Sequence, residues 1–221
     1  FHAAEMAEAD WRTLIVSAEE LTQLHQDLRA CRQCLDAGYE IYPPAVLSGI
    51  TGARLMTIGQ APGITEVEAG RPFNAGSGVR LFQWLAGAGI DETWFRATQY
   101  MTSVTKCYPG RAKGGSGDRV PSRDEQERCG VFLNREIALV NPALIIPIGR
   151  LAISRFYPKN LKLTDIIGTQ KEVEGRWVVP LPHSSGASRW HQTAPNRELI
   201  QGAIALIAQH MQQLFPTGIP S

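Results

Sequence analysis

The sequence predicts an α/β fold: a three-layer α/β/α sandwich around a central four-stranded parallel sheet. Short apolar segments of strand length alternate along the chain with longer segments of helical periodicity. The apolar segments contain few polar positions, which is typical of strands that are buried on both faces of a parallel sheet. No internal repeat or linker divides the 221 residues, so we expect one domain over residues 1–221.

Four apolar segments are the predicted strands. They cover residues 54–59, 100–106, 144–149 and 177–181. The first and third are short apolar runs that end in glycine, and the second is rich in residues that favour strands. Because helical segments separate these strands, the pattern favours parallel pairing with helices on both faces of the sheet.

Five segments are the predicted helices. They cover residues 17–31, 77–88, 122–140, 151–157 and 196–215. Two of them begin with a capping box, formed by Ser17 with Glu20 and by Ser122 with Glu125. The glycine-rich sequence at residues 113–117 predicts a flexible surface loop.

The overall charge gives no indication of a nucleic-acid partner. The chain has 22 Lys and Arg residues against 21 Asp and Glu residues, a formal net charge of +1. A DNA-binding face must therefore come from local clustering of basic residues. No apolar run approaches the roughly 20 residues that span a bilayer, and no signal-peptide pattern is visible. We expect a cytoplasmic monomer without a membrane partner.

Three loops that follow predicted strands are candidate binding elements. Their sequences are Gly-Gln-Ala-Pro-Gly at residues 59–63, Cys-Tyr-Pro-Gly at 107–110 and Pro-His-Ser-Ser-Gly at 182–186. In open α/β sheets, ligands bind at the carboxyl ends of the strands, and glycines there let the backbone approach a ligand closely. A Gly/Pro turn after a strand is also an ordinary chain reversal, so each loop alone is weak support for a site.

The four cysteines indicate a metal site. Cys31 and Cys34 form a C-x-x-C pair at the end of a predicted helix, and Cys107 and Cys129 lie far along the chain. Four thiolates suit either zinc or an iron–sulfur cluster, and spacing alone does not choose between them. The alternative is a thioredoxin-like redox pair with two buried thiols. It is weakened because the pair does not follow a strand in a βαβ unit.

Together, the loops and the cysteines resemble the uracil-DNA glycosylase superfamily, and most closely its iron–sulfur branch, family 4. The resemblance extends from Cys31 to about Arg189. The sequence at residues 59–63 matches the first active-site motif of that family, and Gly-Arg-Pro-Phe at residues 70–73 matches the segment whose aromatic ring stacks on the flipped base. His183 and the two serines after it match the second active-site motif.

The cysteines also follow the pattern of that branch. Cys107 lies in a Lys-Cys-x-Pro context, and Cys129 lies in the next predicted helix. The interval between them is longer than usual, and the loop at residues 113–117 accounts for the difference. The resemblance implies that Cys31, Cys34, Cys107 and Cys129 bind one [4Fe–4S] cluster.

The resemblance implies an enzyme of DNA repair that flips uracil out of DNA and hydrolyses its N-glycosidic bond, leaving an abasic site. Phe73 would stack on the base. His183 would donate a hydrogen bond to the O2 atom of the departing uracil anion. Gln60 and Ala61 would present backbone N–H groups to uracil, and the Gln60 side chain would orient a water.

The loop after the last predicted strand is the candidate DNA-binding element. Hydroxyl, backbone and guanidinium groups suit phosphate contacts. The residues concerned are Ser184, Ser185, Gly186, Ser188 and Arg189. Arg111, Lys113 and Arg119 form a second basic loop near the cysteines, although each arginine is also compatible with an ordinary surface charge.

Two positions depart from the family pattern. No aspartate follows Gln60 to activate water, which implies catalysis mainly through stabilisation of the leaving group. Ser103 occupies the position where close relatives have an asparagine that reads the uracil edge. A hydroxyl cannot match the paired donor and acceptor of a carboxamide. We therefore expect Asn74 to read the base, with a role of Asn74 in the turn alone as the alternative.

Three other functions remain compatible with the sequence. One is a different enzyme on the same fold with a zinc site, and another is a protein that binds uracil in DNA with little or no excision. The third is the relative that traps its product covalently through a histidine in an inserted basic loop. No such insertion separates Phe73 from Leu81, which disfavours the third.

Overall fold

The computed structural model describes residues 18–114, 117–186 and 188–219. The strands are β1 (Leu55–Gly59), β2 (Tyr100–Ser103), β3 (Leu144–Pro147), β4 (Lys171–Val173) and β5 (Arg176–Val178). They form one sheet in the order β2-β1-β3-β5-β4. The four predicted strands correspond to β1, β2, β3 and β5, and these pair in parallel, as the sequence predicted.

The fifth strand, β4, was not predicted from the sequence. It pairs antiparallel with β5 at the edge of the sheet. Its residues are exposed or only partly buried, so it lacks the apolar pattern of the interior strands. A tight turn joins the two strands, with positive φ angles of 50° at Glu174 and 76° at Gly175. Turns of this kind match the twist of a hairpin.

The helices are α1 (18–30), α2 (Gln33–Asp36), α3 (Ile64–Ala69), α4 (Ala75–Ala86), α5 (Glu92–Thr98), α6 (Arg123–Val140), α7 (Gly149–Ile153), α8 (Leu163–Ile166) and α9 (Ala194–Leu214). The predicted capping box of α6 is confirmed, since Ser122 accepts a hydrogen bond from the backbone of Glu125 and the Glu125 side chain accepts one in return. The predicted cap at Ser17 lies outside the described residues.

The two faces of the sheet pack against different helices. Leu55 belongs to a hydrophobic cluster with α4, α5 and α9, whereas its neighbour Met56 belongs to a second cluster with α1 and α6. Successive side chains of a strand point to opposite faces, so helices cover both faces of the sheet. The carboxyl ends of the strands remain uncovered by these helices, and the loops that follow them are free to form a site.

Strand β2 ends three residues earlier than predicted. After Ser103 the chain bends, and the backbone N–H groups of Val104 and Thr105 donate to the carbonyls of Gly59 and Gln60, at 2.9 and 3.2 Å. The segment after β2 therefore lies against the loop after β1. This contact fixes the relative position of two of the predicted binding loops.

A buried ion pair joins this segment to α6. Glu136 of α6 is fully buried, and its carboxylate lies 2.7 Å from the ammonium group of Lys106. The hydroxyls of Tyr100 and Thr102 donate to the same carboxylate, at 3.1 and 2.9 Å. Lys106 also donates to the carbonyl of Ser103. The network fixes α6 and the turn after β2 in one geometry.

We expect Glu136→Leu to be strongly destabilising. The change leaves the buried ammonium of Lys106 without its counter-charge, and breaking a buried pair in this way typically costs about 3–5 kcal/mol. Urea denaturation would measure the loss. The matched control is Glu127→Leu on the same helix, because Glu127 forms an exposed ion pair with Arg123 and exposed pairs contribute little. Equal losses in the two variants would contradict the prediction.

Candidate functional site

A pocket lies at the carboxyl ends of the parallel strands. Its wall is built from the loops after β1, β2, β3 and β5 and from the segment before α4. The structure brings six of the predicted site residues to this pocket: Gln60, Ala61, Phe73, Ser103, His183 and Ser184. This is the part of an open α/β sheet at which ligands bind.

The ring of Phe73 lies against the end of β1. A Cβ atom added to Gly59 would come within 3.0 Å of the Cζ atom of Phe73. Glycine at this position therefore leaves the space that the ring occupies. The ring is only partly buried, so one flat apolar surface remains available to a ligand in the pocket.

The backbone of Phe73 is held in an unfavourable conformation. Its φ angle is 49°, in the left-handed region that side chains other than glycine rarely adopt. The Arg96 guanidinium donates to the carbonyls of Pro72 and Phe73, at 2.9 and 2.7 Å. A Cβ atom at Gly78 would lie 1.8 Å from the Phe73 carbonyl oxygen, so glycine is required there. Sequence reasoning did not find Arg96 or Gly78, because neither lies in a motif.

The imidazole of His183 is oriented by its own loop. The backbone N–H of Ser185 donates to Nδ1 at 3.1 Å, so the neutral ring carries its proton on Nε2. Burial lowers the pKa of His183 below its ordinary value of 6.5. Gly149, with a φ of 82°, packs against the ring, since an added Cβ would lie 3.0 Å from Cδ2. His183 is therefore a neutral hydrogen-bond donor on the pocket wall.

Ser103 lines the pocket, and its hydroxyl group can only accept a hydrogen bond from a ligand. Its hydroxyl donates to the carbonyl of Thr105 at 2.7 Å, which uses the one proton that it has. The lone pairs of the oxygen remain for a ligand. A group with an N–H facing Ser103 is therefore favoured over a group with a lone pair there.

Asn74 is not among the residues that line the pocket. Its amide nitrogen donates to the carbonyl of Thr65 at 3.2 Å, and its amide oxygen accepts from Arg71 at 3.0 Å. Both ends of the carboxamide are used within the loop before α4. The geometry thus favours the alternative considered from the sequence, a role of Asn74 in the turn.

Glu66 is a pocket residue that the sequence analysis missed. Its carboxylate is buried and accepts hydrogen bonds from the backbone of Gly63 at 2.9 Å and from Ser77 at 3.2 Å. In the first contact the Glu66 side chain caps the N-terminus of α3, a short helix that the sequence analysis did not predict. Its spacing from Gly63 was the available signal.

The loop after β5 joins the pocket to the protein surface. Ser184 is buried, and its carbonyl accepts from Arg80 of α4 at 3.2 Å. Ser185 and Ser188 are partly exposed, whereas Gly186 and Arg189 are exposed. Residue 187 lies outside the described part of the chain. The loop thus presents polar groups to solvent beside the pocket.

The second basic loop is smaller than predicted. Arg119 donates to the buried carboxylate of Glu125 at 2.6 Å and to the carbonyl of Pro109 at 2.9 Å. Its guanidinium is therefore committed to the structure, and the expectation that it contributes to a DNA-facing patch is not supported. Arg111 and Lys113 are exposed.

All four cysteines line a second cavity beside the first. Cys31 follows α1, Cys34 lies in α2, Cys107 follows β2 and Cys129 lies in α6. None of them forms a disulfide. The cavity therefore brings together the distant thiols that the sequence analysis grouped.

The environment of these thiols disfavours free thiolates. Burial, followed by neighbouring thiols, raises the pKa of Cys34 to about 11 and that of Cys107 to about 12. Among residues 18–114, 117–186 and 188–219, no three His, Cys, Asp or Glu side chains converge closely enough to hold a single metal ion.

Within the described residues, no helix is both long and apolar enough to cross a membrane.

The profile of the uracil DNA glycosylase superfamily matches residues 46–205. The chain is 32% identical over 139 residues to the type-4 uracil-DNA glycosylase of Thermotoga maritima, with 62% of this chain and 67% of that protein covered. It is 33% identical over 135 residues to that of Archaeoglobus fulgidus, with 61% and 62% covered. It is 31% identical over 135 residues to the type-4 uracil-DNA glycosylase of Pyrobaculum aerophilum, with 60% of this chain and 62% of that protein covered.

The matched segments thus span 62% to 67% of the lengths of these relatives. The profile match covers more than half of this chain and includes both the strand-end pocket and two of the four cysteines. The chain therefore belongs to the uracil DNA glycosylase superfamily, on its type-4 branch.

Proposed function

We propose that this protein is a DNA repair glycosylase that flips uracil out of DNA and hydrolyses its N-glycosidic bond, leaving an abasic site. The observation that carries the proposal is the convergence of three groups on one pocket: the ring of Phe73, the acceptor oxygen of Ser103 and the donor Nε2 of His183. Together they match an aromatic lactam with one N–H and adjacent carbonyl oxygens, which is the chemistry of uracil.

Ser103 is the proposed reader of the base edge. Uracil carries a hydrogen on N3, whereas N3 of cytosine carries a lone pair. An oxygen that can only accept would bind the first and repel the second. This assignment replaces the expectation for Asn74, whose carboxamide is engaged elsewhere.

His183 is the proposed stabiliser of the leaving group. Departure of uracil leaves negative charge on its carbonyl oxygens, and a fixed donor facing O2 stabilises that charge more than it stabilises the neutral base. Because Ser185 orients the ring before the reaction, little reorganisation is needed. Gln60 and Ala61 also line the pocket and would add backbone N–H donors, and the side chain of Gln60 would orient the attacking water.

The surface beside the pocket suits the DNA backbone. The exposed groups of Ser185, Gly186, Ser188 and Arg189 would contact phosphates around the flipped nucleotide. Ser184 is buried, so its contribution would be to position the loop through the contact with Arg80. Binding that rests on phosphate contacts should weaken as salt concentration rises.

The cysteine cavity suits an iron–sulfur cluster. Four thiols from distant parts of the chain line it together, and four cysteines are the usual ligand set of a [4Fe–4S] cluster, although four thiolates would also bind zinc. The resemblance of the chain to the iron–sulfur branch of the family is the reason for proposing the cluster. Cys31, Cys34, Cys107 and Cys129 would hold the cluster, and it would supply a structural cross-link between α2, the turn after β2 and α6.

A cleavage assay on oligonucleotides that contain one uracil tests the proposed activity. The expected product is an abasic site, detected by strand scission after alkali. Binding of the uracil oligonucleotide without scission would instead favour the alternative, a uracil-DNA binding protein.

We expect His183→Ala to lower the single-turnover excision rate by about 100- to 1,000-fold, the usual cost of removing one preorganised donor. DNA affinity should change little. Because the pKa of His183 is lowered, the ring stays neutral as pH rises, so the wild-type rate should not fall through loss of this proton between about pH 6.5 and 8.5. A rate that falls through that range only when His183 is present would contradict a neutral donor.

We expect Ser103→Ala to lose roughly 1–3 kcal/mol of transition-state stabilisation, because the N3–H of the flipped base loses its acceptor. This corresponds to about 5- to 150-fold in rate. Asn74→Ala is the matched control and should keep the single-turnover rate while lowering thermal stability. The reverse result, with Asn74→Ala inactive and Ser103→Ala unchanged, would return the reading role to Asn74.

We expect Cys34→Ser to remove the brown colour and the visible absorption of anaerobically prepared protein, and to lower its thermal stability. The serine hydroxyl is a poor ligand for iron, so the cross-link between α2 and α6 would be lost. Elemental analysis of the wild-type protein provides the reference. Zinc without iron in that preparation would refute the cluster.

A further inference from the structure

Thr105 carries a buried hydroxyl without a hydrogen-bond partner. The residue is 2% exposed, and its Oγ1 atom contacts no donor or acceptor among the residues that the structure describes. Buried polar side chains nearly always have a partner, so an isolated hydroxyl needs an explanation. Thr105 is one of the residues that line the cysteine cavity.

The backbone of Thr105 is fully engaged on the side of the uracil pocket. Its N–H donates to the carbonyl of Gln60 at 3.2 Å, and its carbonyl accepts from the Ser103 hydroxyl at 2.7 Å. Thr105 therefore belongs to the wall between the two cavities. Its backbone supports two residues of the proposed base-binding pocket, and the residue also lines the cavity that contains the four thiols.

The cavity offers this hydroxyl few acceptors other than sulfur. Its wall consists largely of apolar side chains, among them Leu28, Ile41 and Ala45. The neighbouring Lys106 is a donor, and its ammonium group is paired with Glu136. Arg32 and Gln33 also line the cavity, but both are exposed to solvent. The other polar side chains of the lining are the cysteines, whose sulfur atoms accept hydrogen bonds weakly as thiols and more strongly as thiolates.

We propose that the Thr105 hydroxyl donates a hydrogen bond to a sulfur of the bound iron–sulfur cluster. The inference rests on the cluster proposed above. The cluster would then be the hydrogen-bond partner that this hydroxyl lacks. Thr105 would then connect the cluster to Gln60 and Ser103 through one residue, because its backbone already bonds to both.

The hydrogen bond has a measurable consequence for the cluster. Adding an electron increases the negative charge on the cluster sulfurs, so a donor to sulfur stabilises the reduced form and raises the reduction potential. Removing the donor should shift the potential to a more negative value. This quantity does not depend on whether the protein excises uracil.

The experiment compares three variants with the wild-type protein, all prepared anaerobically. Thr105→Val removes the hydroxyl at nearly constant volume, and Thr105→Ser keeps it. The matched control is Thr57→Val, because Thr57 of β1 is also fully buried with an unpartnered hydroxyl but does not line the cysteine cavity. Iron and sulfide contents are measured for each, followed by the reduction potential by protein-film voltammetry.

The expected result is equal iron content in all four proteins, with a more negative potential in T105V alone. Loss of iron from T105V, with T105S retaining it, would also assign the hydroxyl to the cluster. If T105V keeps its iron and has the potential of the wild-type protein and T57V, the hydrogen bond does not exist, while the cluster stands. If the wild-type protein contains no iron, the cluster proposal itself fails and the inference fails with it.

Discussion

The buried ion pair between Lys106 and Glu136 constrains both cavities of this protein. Lys106 lies between Ser103, at the floor of the strand-end pocket, and Cys107, at the wall of the cysteine cavity. Its ammonium group bonds to the Ser103 carbonyl and pairs with Glu136 of α6, the helix that also carries Cys129. One polar network thus fixes the distance from the proposed base reader to two of the proposed cluster ligands. A buried charge pair is costly to form, so its value here lies in specifying one geometry for this segment.

The segment from Phe73 to the start of α4 is also held in one geometry, but through its backbone and not through a buried ion pair. Phe73 and Ala75 both have positive φ angles, of 49° and 52°, which cost free energy in residues with side chains. Arg96 compensates at Phe73 through two hydrogen bonds to backbone carbonyls, and its guanidinium stacks over the ring of Phe82 at 4.6 Å. The aromatic face of Phe73 is therefore set by the surrounding structure before any base arrives. Such preorganisation would suit the proposed binding of a flipped base, for which the pocket competes with base stacking in DNA.

The sequence predicted the elements whose signals are local. The apolar runs of β1 and β3 and the capping box at Ser122 depend on neighbouring residues, and the structure contains all three. The edge strand β4 was missed because it has no buried face, and its pairing depends on β5. The early end of β2 depends on the carbonyls of Gly59 and Gln60, which lie more than forty residues earlier in the chain.

The same difference between local signals and contacts between distant residues applies to the pocket. Residues in motifs, such as Phe73 and His183, could be assigned from the sequence because their neighbours identify them, and the structure brings both to the pocket. Asn74 has suitable chemistry and lies next to Phe73, yet its carboxamide is bonded to Thr65 and Arg71. The direction of a side chain in a strained turn does not follow from residue type. The pairing of Arg119 could not be predicted for a related reason. Its partner Glu125 is buried, and nothing in the sequence around an arginine in a polar loop indicates such a pairing.

The polar groups of the pocket favour one catalytic strategy over another. A mechanism led by an activated water needs a carboxylate with free lone pairs near the sugar, but no aspartate follows Gln60, and Glu66 accepts hydrogen bonds from Gly63 and Ser77. Stabilisation of the departing anion needs only donors that are already in place, and His183 is such a donor. Burial lowers the pKa of His183, which favours the neutral ring. In the proposed mechanism a neutral imidazole, which is a very weak acid, would strengthen its hydrogen bond as charge develops on uracil without transferring the Nε2 proton. In the proposed mechanism, the contacts made by Arg96, Gly149 and the Lys106–Glu136 pair would contribute to catalysis by holding the pocket groups in place, because a donor stabilises the transition state best when it does not have to move toward it.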